Sequence, residues 1–382
     1  MVRLLSAIAA IMVLFAVSGH PRPATAQQEE AVTADLRERV NKGTVGLISG
    51  GVDGTYIRIA ADLANVLDRG DDLRILPIVG KGSVQNITDI LYLRGTDIGI
   101  VQSDVLAYMK KAGIHPTIEK RIRYITKLYN EEFHLLAADE LTSFKDLAGQ
   151  KVNFGPEGSG TYMTASTVFD ILGIGVEPTT YDYALALEKL IAGEIAAMVY
   201  VAGKPTDIFS KIPENSGVHF LPVPLTAELM ETYLPSNFRH LDYPNLVAEG
   251  EDVDTIAIGA VMAVYNWAPD QDRYAKVANF VEAFFNSFEE FLKPPRHQKW
   301  QEVNLAAVVP GWTRFQAAQN WLDARPREAA AVYDPELREA FQVFVRFIKE
   351  SQPQARGGME EVDEAALFER FMEWREQQEG SR

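Results

Sequence analysis

Between residues 44 and 113 the chain repeats one local pattern three times: an apolar run, a turn bearing glycine or serine, then a helix. TVGLISG is the first apolar run, and Thr55 to Leu67 follows with Ile59, Leu63 and Leu67 on one helical face. LRILPIVG and SVQNITDILYLRG form the second unit, closed by Gly95. DIGIVQ and SDVLAYMKKAG form the third, with Ser103 at the cap position and Gly113 at the end. Strands alternating with helices of this length cannot pair as hairpins. They predict an α/β fold with a parallel sheet and right-handed crossovers.

The rhythm then changes. RYITKLY and FHLLAAD read as two strands joined through NEE, with Glu131-Glu132, like Asp71-Asp72, as a solvated turn. SFKDLAGQKVNFG restarts the alternation with a short helix, a turn at Gly149 and a strand at 151–154. A helix over GSGTYMTASTVFDILG follows. ALALEKLIAGEIAAMVYVAG is then a helix, a turn at Gly193 and a strand at 195–201. Residues 212–252 read as loops with one short helix at TAELMETYL, and DTIAIGAVMAVYN is the strand on which the chain crosses back. QDRYAKVANFVEAFFNSFEEFL, TRFQAAQNWLDA and PELREAFQVFVRFIKE are helical. This order predicts a discontinuous first lobe, residues 40–138 plus 254–350. A second lobe at 139–253 is inserted into it, and a charged tail occupies 351–382.

The first 26 residues read as an export signal. MVR is basic, LLSAIAAIMVLFAV is a 14-residue apolar core, and Ala24-Thr25-Ala26 has the small residues that precede cleavage. The apolar run is short of the roughly 20 residues that span a bilayer. Cleavage after Ala26 is therefore expected, over a retained anchor, and the mature chain is expected in the periplasm. It keeps 35 of the 37 Lys+Arg, losing Arg3 and Arg22, against 53 Asp+Glu, for a net charge of −18. Such a surface repels nucleic acid and anionic lipid. The chain has no cysteine, which removes disulfides, thiolate nucleophiles and cysteine metal sites.

Few motifs point to catalysis. There is no G-x-S-x-G, H-E-x-x-H or Walker A sequence. His115, His134, His219, His240 and His297 are too far apart for a local metal pair, and each reads as a surface or loop residue. Four loops instead share a position where a strand ends and a helix begins: SGGVDGT (49–55), GKGSVQN (80–86), QSD (102–104) and PEGSGT (156–161). In open α/β sheets ligands bind outside the carboxyl ends of the strands. Glycine allows close backbone approach, and a helix N-terminus favours an anion. Each loop alone reads equally well as a cap and turn; the four together point to a binding site.

SGGVDGTY, GSVQN, VQSD and GPEGSGT, in that order, resemble the TAXI family of extracytoplasmic solute receptors, which serve TRAP transporters of bacteria and archaea. SFKDLAGQKVNFG and VVPGWTRFQAA extend the resemblance over roughly residues 43–320. It implies a two-lobed periplasmic binding protein type II fold. In that fold two mixed sheets, flanked by helices, join at a hinge around a central cleft. It implies ligand contacts at Gly51, Gly54, Thr55, Tyr56, Ser83, Asn86, Gln102, Ser103, Ser159, Gly160 and Thr161. The chain departs from the family at AGKPTDIF, where Lys204 puts a cation near the expected cleft; Lys81 and Arg58 are rivals for that role. The implied activity is non-catalytic and without cofactor or metal. A monomeric receptor is expected, taking a small organic anion or amino acid, glutamate-like or dicarboxylate, and delivering it to a membrane permease. A ligand sensor for a membrane signalling partner, or an enzyme on the same scaffold, are the alternatives. A porphobilinogen-polymerising or pyrimidine-forming enzyme of that scaffold would need a cysteine, and the chain has none.

Overall fold

A computed structural model describes residues 32–37, 41–52, 54–70 and 72–325. The signal segment, the helix expected at 335–350 and the charged tail lie outside the described residues. The chain divides into two units, residues 1–42 and 43–382. In the first, residues 32–37 are helical.

The second unit carries the α/β fold. Its described strands form one ten-stranded mixed sheet. β1 (Thr44–Ile48), β2 (Arg74–Ile78) and β3 (Ile98–Gln102) alternate with α1 (Thr55–Leu67), α2 (Ser83–Tyr92) and α3 (Val105–Lys111). β1 lies between β2 and β3, parallel to both, as the triple repeat requires. α1 stacks Ile59, Leu63 and Leu67 under one face of the sheet. α2 and α3 cover the other face with Ile87, Ile90, Val105 and Met109. Both faces are covered, so β1 and β3 are apolar throughout rather than alternating.

The NEE segment is not a turn. Residues 122–138 form one 17-residue strand, β4 (Ile122–Ala138), with Glu131 and Glu132 buried at its middle. The reason is local: the stretch contains neither glycine nor proline, so nothing breaks the extended backbone. Beyond β4 come β5 (Lys151–Asn153), α4 (Gly160–Leu172), β6 (Glu177–Thr179), α5 (Tyr183–Ile191) and β7 (Ala197–Ala202). β5 pairs parallel with β6 and β7, and β7 pairs antiparallel with β4. The region read as loops adds two short strands, β8 (Val218–Phe220) on β4 and β9 (Leu234–Arg239) on β10 (Asp252–Tyr265). Both are short and one contains Pro235, so neither writes a strand pattern.

β10 returns antiparallel between β3 and β4. Its partners change along its length: β9 ends opposite Ala257, and β3 begins opposite Ala260. β7 reaches β4 only from Glu132 onwards. At Ile258–Gly259, opposite Glu131 and Asn130, the sheet is therefore two strands wide. Register shifts lie just beyond this waist, between Gly259 and Val261 and between Val261 and Ala263. The expected two sheets are thus one path drawn in at its middle. Separate cores lie on either side. One contains α6 (Asp272–Asn286), α7 (Gln316–Ala324) and Trp300. Another packs Phe144, Phe154 and Phe169 between α4 and the sheet. The helix expected over 271–292 stops at Asn286 and resumes as one turn at Phe288–Phe291.

His134 is not a surface residue. It is fully buried and stacked on Phe238, with ring centroids 4.5 Å apart. Nδ1 faces the carbonyls of Glu132 and Tyr200 at 2.9 and 3.0 Å, so it carries the proton, and Nε2 accepts from the Tyr243 hydroxyl at 2.7 Å. Burial pushes the imidazole down to about 3, which keeps it neutral.

Candidate functional site

A cavity of about 420 Å³ lies beside the waist. One wall comes from the ends of β1, β2 and β3, through Gly50, Gly51, Gly54, Thr55, Tyr56, Val79 to Ser83, and Gln102. The facing wall comes from Pro156, Ser159 to Thr161, Asp182 to Ala184 and Tyr200 to Ala202. Glu131 supplies the side chain at the crossing. The first turns of α1, α2, α4 and α5 all border this space. Each such turn presents backbone N–H groups without an intrahelical acceptor. Neither Gly54 nor Gly82 can cap them with a side chain, whereas Ser159 Oγ accepts from Tyr162 N at 3.0 Å.

Nine of the expected contacts, Gly51, Gly54, Thr55, Tyr56, Ser83, Gln102, Ser159, Gly160 and Thr161, line this cavity, and three do not. Asn86 lies behind the wall. Its amide donates to Ser49 O and Ile100 O, both at 2.8 Å, and its oxygen accepts from Gly82 N, so it ties three loops together. Ser103 is taken up by its backbone, donating to Gly259 O and accepting from Trp312 Nε1, while Asp104 holds the cap position of α3. Lys204 points away: its ammonium pairs with Asp242 Oδ2 at 3.1 Å and donates to Asn237 O. Of its rivals, Arg58 pairs with Asp207, whereas Lys81 lines the cavity.

The two walls also meet directly. Gln85 N donates to Gly158 O at 3.1 Å, and Thr164 Oγ1 donates to Gln102 Oε1 at 3.2 Å. Gly160 sits against this seam, where an added Cβ would come within 2.4 Å of Gln102 Oε1 and 2.7 Å of Ser83 Oγ. Ser83 Oγ in turn accepts from Gln102 N at 2.9 Å. The Ser and Thr hydroxyls expected as ligand contacts therefore also brace each wall from within; Thr161 Oγ1 accepts from Val201 N at 3.1 Å.

The residues not foreseen in the sequence are Glu131, Tyr183 and Tyr200. Tyr56 Oη donates to Glu131 Oε2 at 2.6 Å. Burial pushes the Glu131 carboxyl up to about 8, and Glu132 beside it adds to the rise against the lowering effect of the Tyr56 bond. Glu132 is also raised by burial, opposed chiefly by the Lys299 ammonium, which lies 3.4 Å from its Oε1 and is itself 2 % exposed. Tyr183 and Tyr200 stand side by side, ring centroids 4.2 Å apart, as an aromatic wall. The signal for Glu131 was present: an acid inside an unbroken apolar stretch with no turn former.

The model of the NMT1-like family matches residues 47–310, which spans both walls of the cavity. The chain belongs to the NMT1-like family. Solved structures similar to this NMT1-like chain include the periplasmic binding protein BugD, at 13% identity and TM-score 0.45, covering 76% of this chain and 96% of that one. A mutant of ArgBP from T. maritima matches at 13% identity and TM-score 0.41, over 66% of this chain and 94% of the other. A TctC solute binding protein from Polaromonas matches at 13% identity and TM-score 0.38, over 75% and 95%.

Proposed function

We propose that this NMT1-like chain is an extracytoplasmic solute receptor of the TAXI type. It would bind a small organic anion or amino acid without turnover and deliver it to a TRAP membrane permease. The observation that carries the reading is the cavity: two walls on opposite sides of a two-strand waist, each built from helix starts. Such a site closes around a small solute by a hinge motion. Its helix N-termini receive an anionic group without a dedicated arginine. On this reading the lobes are residues 40–138 plus 254–350 and residues 139–253. The segment ending at Ala26 directs export, and the net-acidic surface faces the periplasm.

The reading predicts a solute that co-purifies with the protein. Native mass spectrometry should show a mass increment of a small organic acid or amino acid, lost on unfolding. Adding the same compound back should raise the Tm by several degrees and leave the compound chemically unchanged. Conversion of the compound, or no small-molecule stabilisation across organic acids and amino acids, would remove the receptor reading.

A further inference from the structure

Glu131 is 3 % exposed, yet it lines the cavity. Oε2 is engaged by Tyr56, while Oε1 has no hydrogen-bond partner among the described residues. An acid in this position faces Tyr56 from α1, Tyr129 and Glu132 from its own strand, Tyr183 from α5, Lys299 from the turn Gln298–Glu302, and Asp104 from the start of α3. The only cation among them, Lys299, is held by Glu132 and by Glu302 at 2.8 Å. A buried carboxylate is stable only when paired, and among the described residues no cation forms an ion pair with this one. The starts of α2 and α4 border the same space, where N–H groups and helix dipoles favour an anion. The cavity thus combines a buried acid at the waist with anion-favouring helix starts, and Lys81 and Asp182 also line it.

We propose that Glu131 is the specificity-determining residue of the cavity: it receives the ammonium of a zwitterionic, amino-acid-like solute, whose carboxylate sits at the starts of α2 and α4. The assignment rests on the receptor reading above and narrows it, from organic anions in general to solutes that carry a nitrogen cation. The raised affinity of Glu131 for a proton gives it a signature. An arriving ammonium favours the carboxylate, so the proton that Glu131 holds in the empty cavity is expelled on binding. Affinity then rises with pH until Glu131 is ionised without help, near 8. Tyr56 keeps its proton throughout, since burial raises its hydroxyl well above the usual value.

The test uses the full-length protein, stripped of solute by unfolding and refolding, titrated calorimetrically with matched pairs. Each common α-amino acid is compared with the carboxylic acid lacking its amino group, for example L-glutamate with glutarate, L-leucine with isocaproate and L-phenylalanine with hydrocinnamate. The expected result is one amino acid bound at least about tenfold tighter than its partner, with about one proton released at neutral pH when buffers of different ionisation enthalpy are compared. Glu131→Gln keeps shape and an acceptor for Tyr56 but cannot ionise. It should abolish the proton release and the discrimination, the amino acid's affinity falling to that of its desamino partner. Desamino acids binding as tightly as their partners would overturn the role of Glu131 and leave the receptor reading intact. So would full affinity in Glu131→Gln, which would make the residue a neutral donor. If neither member of any pair binds, both readings fall together.

Discussion

Glu131 shows how burial turns an ordinary residue into a sensitive one. Its folded carboxyl titrates near 8, whereas an unfolded glutamate titrates near about 4.3. The native chain therefore holds a proton that the unfolded chain has already lost. This contribution to stability is fully present below the unfolded value and is lost as pH rises through the folded one. Glu131→Gln should accordingly flatten the decline. Between about pH 5 and about pH 8, its unfolding free energy should fall less steeply than wild type, by about 1.4 kcal/mol per pH unit. Urea denaturation of the solute-free proteins across that range measures the difference, and parallel profiles would refute it. Asp104, raised by burial to about 7, adds a slope of the same sign to both proteins. The unbroken stretch around Glu131 hinted at its burial, but the partners that make either acid sensitive could not be read from the sequence. The partner that makes Glu131 a site residue is Tyr56, 75 residues away, and the burial comes from elements on both sides of the sheet. Lys204 failed for the same reason. A lysine in a loop looks free until Asp242 and Asn237 are folded beside it.

The strand-to-helix junctions were far more legible, because caps and glycine turns are local chemistry. α1 begins at Thr55 and ends at Leu67, where the apolar spacing put it, and Ser159 caps α4 as a serine before a helix should. What stayed hidden was that two of these helix starts touch. Gly82 has φ +112°, a conformation open to glycine, and a Cβ there would stand 3.2 Å from Gly160 N. Gly160→Ala should force Gln102 off Thr164 and pry the seam open. The expected cost is about 1–3 kcal/mol of stability, with weakened solute binding. Urea titration together with calorimetry checks both parts. A variant of wild-type stability and affinity would mean that the seam yields freely. The long strands mark the opposite case. β4 looked like two strands because an Asn-Glu-Glu cluster resembles a turn by composition, yet composition without glycine or proline does not bend a backbone.

The molecule as a whole brings two cores against one cavity, joined by a sheet that is two strands wide at Ile258–Gly259 and Asn130–Glu131. Irregular register just beyond that point concentrates bending there, since bulges kink a ribbon and sharpen its twist. On the receptor reading Glu131 is at the pivot, and a bend that parted the walls would also admit water to it. Wetting removes the main cause of its raised proton affinity, so the parted form favours the carboxylate and the closed, empty form favours the acid. Small-angle scattering of the solute-free protein should show a larger radius of gyration at about pH 9 than at about pH 6. The shift should be absent in Glu131→Gln; an unchanged radius in wild type would disprove the link. Closure and protonation are then one equilibrium seen from two ends. Alkaline conditions populate the open ensemble, acid conditions let the empty protein shut, and a solute bringing its own cation replaces the proton as the counter-charge that permits closure. A single carboxyl at the pivot would in this way penalise shutting on nothing.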